Sequence, residues 1–257
     1  MYKSLIIQII IILSFITFAQ NTSQLKSDIN HIIKTSKEYF LSPSKFDSKD
    51  FQTVGILGVI VSASSLLDDD IKNFSQRNFD STNFLLRSFD SYYHIEFMSA
   101  TFLGLYIFGN LADKNEPKQL SVNLLTSSFL TGITTLGLKT LFGRSRPYVA
   151  DNQYEFNWFE FDYKFSSFPS GHTSLAFSFS TIMAEQNKTL LWKSIWFSAA
   201  TLVGISRIYN NQHWFSDVLL GAAIGYITAK FVLKHNNNDT SDNLNLPTNN
   251  IVFLIRL

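Results

Sequence analysis

The chain contains no cysteine. Disulfides, thiolate metal sites and cysteine nucleophiles are thereby excluded. Charge is also scarce: Asp, Glu, Lys and Arg make up 16% of the 257 residues, against roughly 25% in an ordinary soluble protein. The formal net charge is only +1, which lacks the basic surplus of a nucleic-acid binder and makes nucleic acid no expected partner. Strand signals are sparse, strands and helices do not alternate, and no internal repeat is evident.

Apolar surface is what the chain has in abundance. Phenylalanine alone occupies 25 positions, and the mean hydropathy is +0.07. These values fit either a very apolar core or a membrane protein of modest hydrophobicity. The length suffices for one domain with a sizeable core.

The first residues read as an export signal. Lys3 precedes a run of mostly Ile, Leu and Phe over 5–18, and Thr17-Phe18-Ala19 ends in a small residue before Gln20. Residues 1–19 are therefore read as a signal peptide, with an uncleaved N-terminal anchor helix as the alternative. Either one sends the chain out of the cytoplasm.

Beyond it, Ile29, Ile32 and Ile33 recur at helical spacing, so a short amphipathic helix is expected there, with His31 on its surface. Six apolar segments follow, at 51–67, 97–112, 120–142, 172–184, 190–208 and 218–233. The pattern predicts an all-α fold, a bundle of about six core helices. The segments are borderline as membrane spans, which need about 20 apolar residues. Segment 120–138 is free of charge but rich in Ser and Thr and carries Asn123, and Asp217 and Lys230 flank 218–229 closely. Membrane association is favoured over a soluble bundle of fully buried helices. Residues 235–257 read as a flexible tail, a polar linker ending in Ile251-Val252-Phe253-Leu254-Ile255-Arg256-Leu257, which either docks on the bundle or frays.

Three polar clusters lie at the ends of these apolar segments. The first holds Lys139, Arg144, Arg146 and Pro147. Arg146 follows Lys139 by seven positions, about two helical turns, which would place both on one face of a continuous helix. Gly143 and Pro147 mark the helix end. Cations at a helix end also suit the helix dipole or a membrane edge.

The second cluster is Pro169-Ser170-Gly171-His172. Backbone N–H groups at a helix start favour anions, and Gly171 lets a ligand approach the backbone. The Ser170 hydroxyl can donate to the same anion, and His172 beside it can give or take a proton. The plainer reading makes Ser170 an ordinary N-cap.

The third cluster places Arg207 at the end of one helix and His213 before the next, with Asp217 four residues on. A helical segment would set Asp217 against the imidazole, orienting it for attack through Nε2. Alone this is equally a surface His–Asp pair. Taken together, Lys139, Arg146 and Arg207 offer three cations for three phosphoryl oxygens, with Ser170 and the Gly171 backbone completing a cradle. His213 becomes a nucleophile and His172 a separate acid, a set suited to phosphoryl transfer without a metal or other cofactor.

The series Lys139 to Arg146-Pro147, Pro169-Ser170-Gly171-His172, and Ser206-Arg207 to His213 and Asp217 resembles the three-part motif of the type 2 phosphatidic acid phosphatase superfamily. That superfamily, PAP2, also holds bacterial class A acid phosphatases and vanadium haloperoxidases. The motif spans residues 139–217 with no departure at its positions.

The resemblance implies a phosphatase domain over 20–234, a helical bundle with the active site at one end. It implies His213, His172 and Asp217 as catalytic residues, and Lys139, Arg146, Ser170, Gly171 and Arg207 as the substrate-binding set. The expected substrate is a phosphomonoester or diphosphate of a lipid, handled in the cell envelope on the periplasmic side of a membrane. A soluble periplasmic acid phosphatase is the alternative. A vanadate-dependent haloperoxidase is disfavoured by the short chain. Arg144 and Lys164 lie near enough in sequence to steer substrate, but read better as surface charge.

Overall fold

The computed structural model describes residues 23–80, 82–89 and 95–242. The signal segment 1–19 and the last fifteen or so tail residues lie outside the described residues.

The helices are α1 (Ser23–Leu41), α2 (Ser48–Ser64), α3 (Asp68–Arg77), α4 (Phe84–Ser88), α5 (Ile95–Leu111), α6 (Asn115–Phe142), α7 (Gly171–Glu185), α8 (Leu190–Tyr209) and α9 (Phe215–Asp242). A single 3-10 turn, Ser65–Leu67, joins α2 to α3. Among the described residues the only strand-like pairing is an isolated bridge between Arg144 and Phe156. The chain is an all-α bundle, and each of the six expected apolar segments is a helix. The outcome differs at the C-terminal end, where α9 runs on to Asp242 instead of giving way to linker at 235.

Local signals set several helix ends. The Asp47 carboxylate accepts from the backbone N–H of Lys49 and Asp50, and Asp50 returns the bond to Asp47 N. That reciprocal capping box starts α2. At the far end of α6, Gly143 adopts φ 54°. A Cβ there would fall 1.5 Å from the Asn157 carbonyl oxygen, so only glycine ends the helix this way.

The core gathers Met98 and Phe102 of α5, Leu124 and Leu125 of α6, Phe179 and Ile182 of α7, and Val203 of α8. Helix α6 is buried despite its hydroxyl content, and most of its buried hydroxyls find partners, Ser128 and Thr131 being the exceptions. Thr126 and Thr135 donate to the carbonyls of Val122 and Thr131, Ser121 donates to Phe102 O, and Ser127 pairs with Ser178 across the α6–α7 contact. Satisfied hydroxyls remove most of the cost of burying them.

Outside this core much apolar surface is uncovered. Phe51, Val54, Ile56, Val59 and Ile60 of α2 are exposed, as are Phe97, Phe108 and Leu111 of α5 and Leu190 and Leu191 of α8. Two stretches, Ser48–Arg77 and Phe215–Asn236, are long and apolar enough to cross a membrane. Helix 97–111 is apolar but shorter, and α6 is long enough but less apolar than these two stretches.

Candidate active site

Helix α6 delivers Lys139 one turn before its glycine end. The Lys139 ammonium is buried and donates to the carbonyl oxygens of Ser166 and Ser167, the latter at 3.3 Å. Its side chain passes under the start of α7, with Cε 3.5 Å from where a Gly171 Cβ would stand. A Cβ at 171 would rest in ordinary contact with this side chain.

The chain leaves α6 extended, so Arg144 and Arg146 point apart and both are buried. Arg146 donates to Tyr163 O at 2.9 Å, to Gln212 O and Oε1 at 3.2 and 3.1 Å, and to Ser166 Oγ at 3.2 Å. The Tyr163 ring covers its guanidinium at 3.8 Å. Arg207 arrives at the end of α8 and is also buried. Carbonyl dipoles and a ring hold Lys139 and Arg146 in place without cancelling their charge.

His213 is buried in the short loop before α9. Burial pushes its imidazole well below the ordinary histidine range; Asp217 opposes this, while Arg146, Lys139 and Arg207 add to it. The ring is therefore neutral at pH 7, as an attacking nitrogen must be. Its Nδ1 lies 3.7 Å from Asp217 Oδ2, ion-pair range but longer than a hydrogen bond. Ligand-free sites often show such long contacts. The same Asp217 oxygen accepts from Ser167 Oγ at 2.5 Å and from Trp214 N at 2.9 Å. With Nδ1 turned to Asp217, Nε2 is the free edge.

At the head of α7, Ser170 is fully buried and its Oγ pairs with Thr173 Oγ1 at 2.9 Å, so it does not act as a side-chain cap. His172 follows two positions later and is partly exposed. Thus Lys139, Arg146, Arg207, Gly171, Ser170, His172, His213 and Asp217 gather where α6 and α8 end and α7 and α9 begin.

Arg144 corrects the sequence reading. It is no surface charge: it is 2% exposed and sits behind the site. It reaches Asp217 Oδ1 at 2.6 Å and Asp68 Oδ2 at 2.8 Å. Its remaining donors bond Ser216 Oγ and the Gln153 carbonyl. The reason is stoichiometric: Asp68 and Asp217 are both buried, and a buried carboxylate requires a partner. Lys164 is exposed, in keeping with surface charge.

Sequence reasoning also missed Asp68, Ser166, Ser167, Tyr163 and Gln212. No local pattern marks them, because they act through partners distant in sequence. Among the described residues, no group of three or more His, Asp or Glu side chains is placed to share a metal ion.

Comparison with known proteins adds an independent line. Residues 120–241 match the PAP2 superfamily. The chain is 37% identical over 120 residues to the lipid A 1-phosphatase of Porphyromonas gingivalis, covering 46% of this chain and 24% of that one. It is 42% identical over 67 residues to the bacitracin transport permease protein BcrC of Bacillus licheniformis, covering 26% of this chain and 32% of that one. The chain thus spans a third or less of these two relatives. In structure it is similar to LpxE of Aquifex aeolicus, with a TM-score of 0.51 and 28% identity over 65% of this chain and 95% of that one.

Proposed function

We propose that the chain, whose residues 120–241 match the PAP2 superfamily, is a metal-independent lipid-phosphate phosphatase working through a phosphohistidine on His213. One observation carries the reading. The His213 imidazole is buried, 3.7 Å from Asp217, and burial together with the charges of Arg146, Lys139 and Arg207 favours its neutral form. That is the environment an in-line attack on a phosphoryl group requires.

In this reading His213 Nε2 attacks phosphorus while the P–O bond to the alcohol breaks. Lys139, Arg146 and Arg207 stabilise the three equatorial oxygens, where most of the rate enhancement arises. Ser170 and the N–H groups at the start of α7 complete the cradle. His172, at the mouth, gives its proton to the departing alkoxide. It then takes a proton from water as that water attacks phosphorus and the P–N bond breaks, releasing inorganic phosphate. Asp217 stabilises the positive charge that His213 carries between the two steps.

The lipid character of the substrate rests on the apolar surface beside the site. Ser48–Arg77 and Phe215–Asn236 have the length of membrane spans, and the second begins two residues after His213. In this reading the phosphate cradle lies at a membrane edge, and the export signal read in residues 1–19 favours the periplasmic side. Large exposed apolar surface of this kind favours the lipid reading over a soluble acid phosphatase. The relative named as a lipid A 1-phosphatase makes a glycolipid phosphate the first substrate to try.

The test is phosphate release by the full chain in detergent. Lipid A, phosphatidate, a polyprenyl diphosphate and nitrophenyl phosphate are compared, with His213→Gln as control. Hydrolysis of one lipid phosphate well above nitrophenyl phosphate, abolished in the control, is the expected result. Full turnover by a folded His213→Gln variant would remove His213 from its role.

A further inference from the structure

Behind the cradle lies a buried chain of charges that the mechanism above does not use. Asp68, the first residue of α3, is 1% exposed. It accepts from Ser216 N at 2.8 Å, from Ser216 Oγ at 2.6 Å and from Arg144 Nη2 at 2.8 Å. Arg144 carries the connection to Asp217 Oδ1 at 2.6 Å. The other Asp217 oxygen faces His213. Arg144 is packed among Phe156, Phe168 and Trp214, whose ring centres lie 5.3–5.9 Å from its guanidinium carbon. Every donor of the guanidinium is engaged, so its geometry leaves Asp217 one position.

Asp68 lies outside residues 120–241, so it is no part of the matched family region. It nonetheless grips both Arg144, which bonds Asp217, and Ser216, its neighbour in sequence.

Resting on the reading of His213 as nucleophile, we propose that Asp68 and Arg144 are positioning residues: they clamp Asp217, and through it they orient His213 and set the charge behind it. Asp68, Arg144 and Asp217 together carry one net negative charge. That charge opposes the three cations on the front of the ring, Lys139 from α6, Arg146 from the following loop and Arg207 from α8. The titratable side chain of the first turn of α7 is His172, and Tyr163 lies against Arg146.

A structural role alone does not predict opposite effects from the two partners; a charge relay does. Asp68→Asn keeps the size and the bond from Ser216 N, but it turns the acceptor facing Arg144 into a donor and removes a negative charge, which disfavours the imidazolium. Arg144→Gln leaves two carboxylates behind His213 and favours it. The double variant restores the original net charge.

The experiment titrates His213 by NMR in the full chain, ¹⁵N-histidine-labelled in micelles, with His213→Gln assigning its signal among the five histidines. The acid limb of kcat/KM for nitrophenyl phosphate is measured alongside. Asp68→Asn should move the His213 titration and the limb downward by on the order of one pH unit. Arg144→Gln should move both upward by a similar amount, and the double variant should return them toward wild type. Should Arg144→Gln not fold, the Asp68→Asn shift and its reversal in the double variant still decide. A His213 titration unmoved by Asp68→Asn, or moved by it alike in single and double variants, overturns the proposal. An inactive wild-type chain would instead sink the phosphatase reading, and the NMR titration would still decide this one.

Discussion

The backbone N–H of Ser170 donates to the carbonyl of Asp217 across 2.9 Å. This bond ties the head of α7 to the first turn of α9. His172 stands on one side of it, and His213 with its carboxylate on the other. The two histidines proposed as acid and nucleophile are therefore mounted on elements joined by a backbone bond.

Close helix packing maintains that bond, which leads to the first prediction. A Cβ on Gly221 would lie 2.6 Å from Ser170 O, and one on Gly225 would lie 2.1 Å from Ser174 O. Gly225→Leu must force α9 away from α7. Overpacking typically costs about 1–3 kcal/mol, and here the obstacle is backbone, which yields least. Thermal unfolding in detergent should show a clear fall in Tm together with loss of phosphatase activity. Gly55→Leu, where nothing lies within 4 Å, should leave both near wild type. Equal Tm values for the two variants would contradict the packing described.

The second prediction concerns pH. Attack requires neutral His213, and burial holds its imidazole well below the ordinary range, helped by Arg146, Lys139 and Arg207 against Asp217. Protonation that removes the nucleophile is thus postponed to lower pH. The acid limb of kcat/KM should lie below about 6.5, the value of a free histidine. The same sign applies to stability. Unfolded chain takes up this proton near pH 6.5 while folded chain resists it, so the contribution is intact above that pH and declines below it. A pH–rate profile whose acid limb sits at or above 6.5 would show His213 to be less desolvated than the structure has it.

The third separates the two histidines. An alkoxide leaving a lipid phosphate needs a proton, whereas nitrophenolate is already a stable anion. His172→Ala should therefore cripple lipid phosphate hydrolysis far more than the first step with nitrophenyl phosphate. General acid help is worth typically about 10²–10⁴-fold, so the gap is measurable. Acid-labile phosphate should then accumulate on His213, since the water-activating base is gone. Single-turnover release of nitrophenol is the measurement, and equal loss with both substrates would assign His172 to binding.

The fourth concerns ions. With Lys139, Arg146 and Arg207 supplying the positive charge, dialysis against EDTA should leave activity unchanged. Vanadate should inhibit by occupying the cradle as a five-coordinate mimic of the transferring phosphoryl group. A dialysed preparation that is inactive and is revived by a divalent cation would overturn the assignment of charge neutralisation to these side chains.

Several features were legible along the chain alone. Apolar runs of helical length dictated an all-α bundle, because such runs must be buried or placed in lipid wherever they lie. The spacing of Lys139, Arg146, Pro169 to His172, Arg207, His213 and Asp217 carried the resemblance to the PAP2 superfamily, whose match covers these positions. The Ser and Thr content of segment 120–138 marked it as a borderline span, and in the structure it is a buried helix with bonds such as Ser127 to Ser178.

What only the tertiary structure decided is the division of labour between neighbours. Arg144 and Arg146 differ by two positions and share one chemistry, so no local pattern separates them. The extended turn after Gly143 sends them to opposite sides. Arg146 faces the cradle, while Arg144 meets Asp217 and Asp68, 73 and 76 residues away in the chain. Partners so distant leave no periodicity behind, because what joins them is the need of two buried carboxylates for one cation, and that need arises only once the helices have packed.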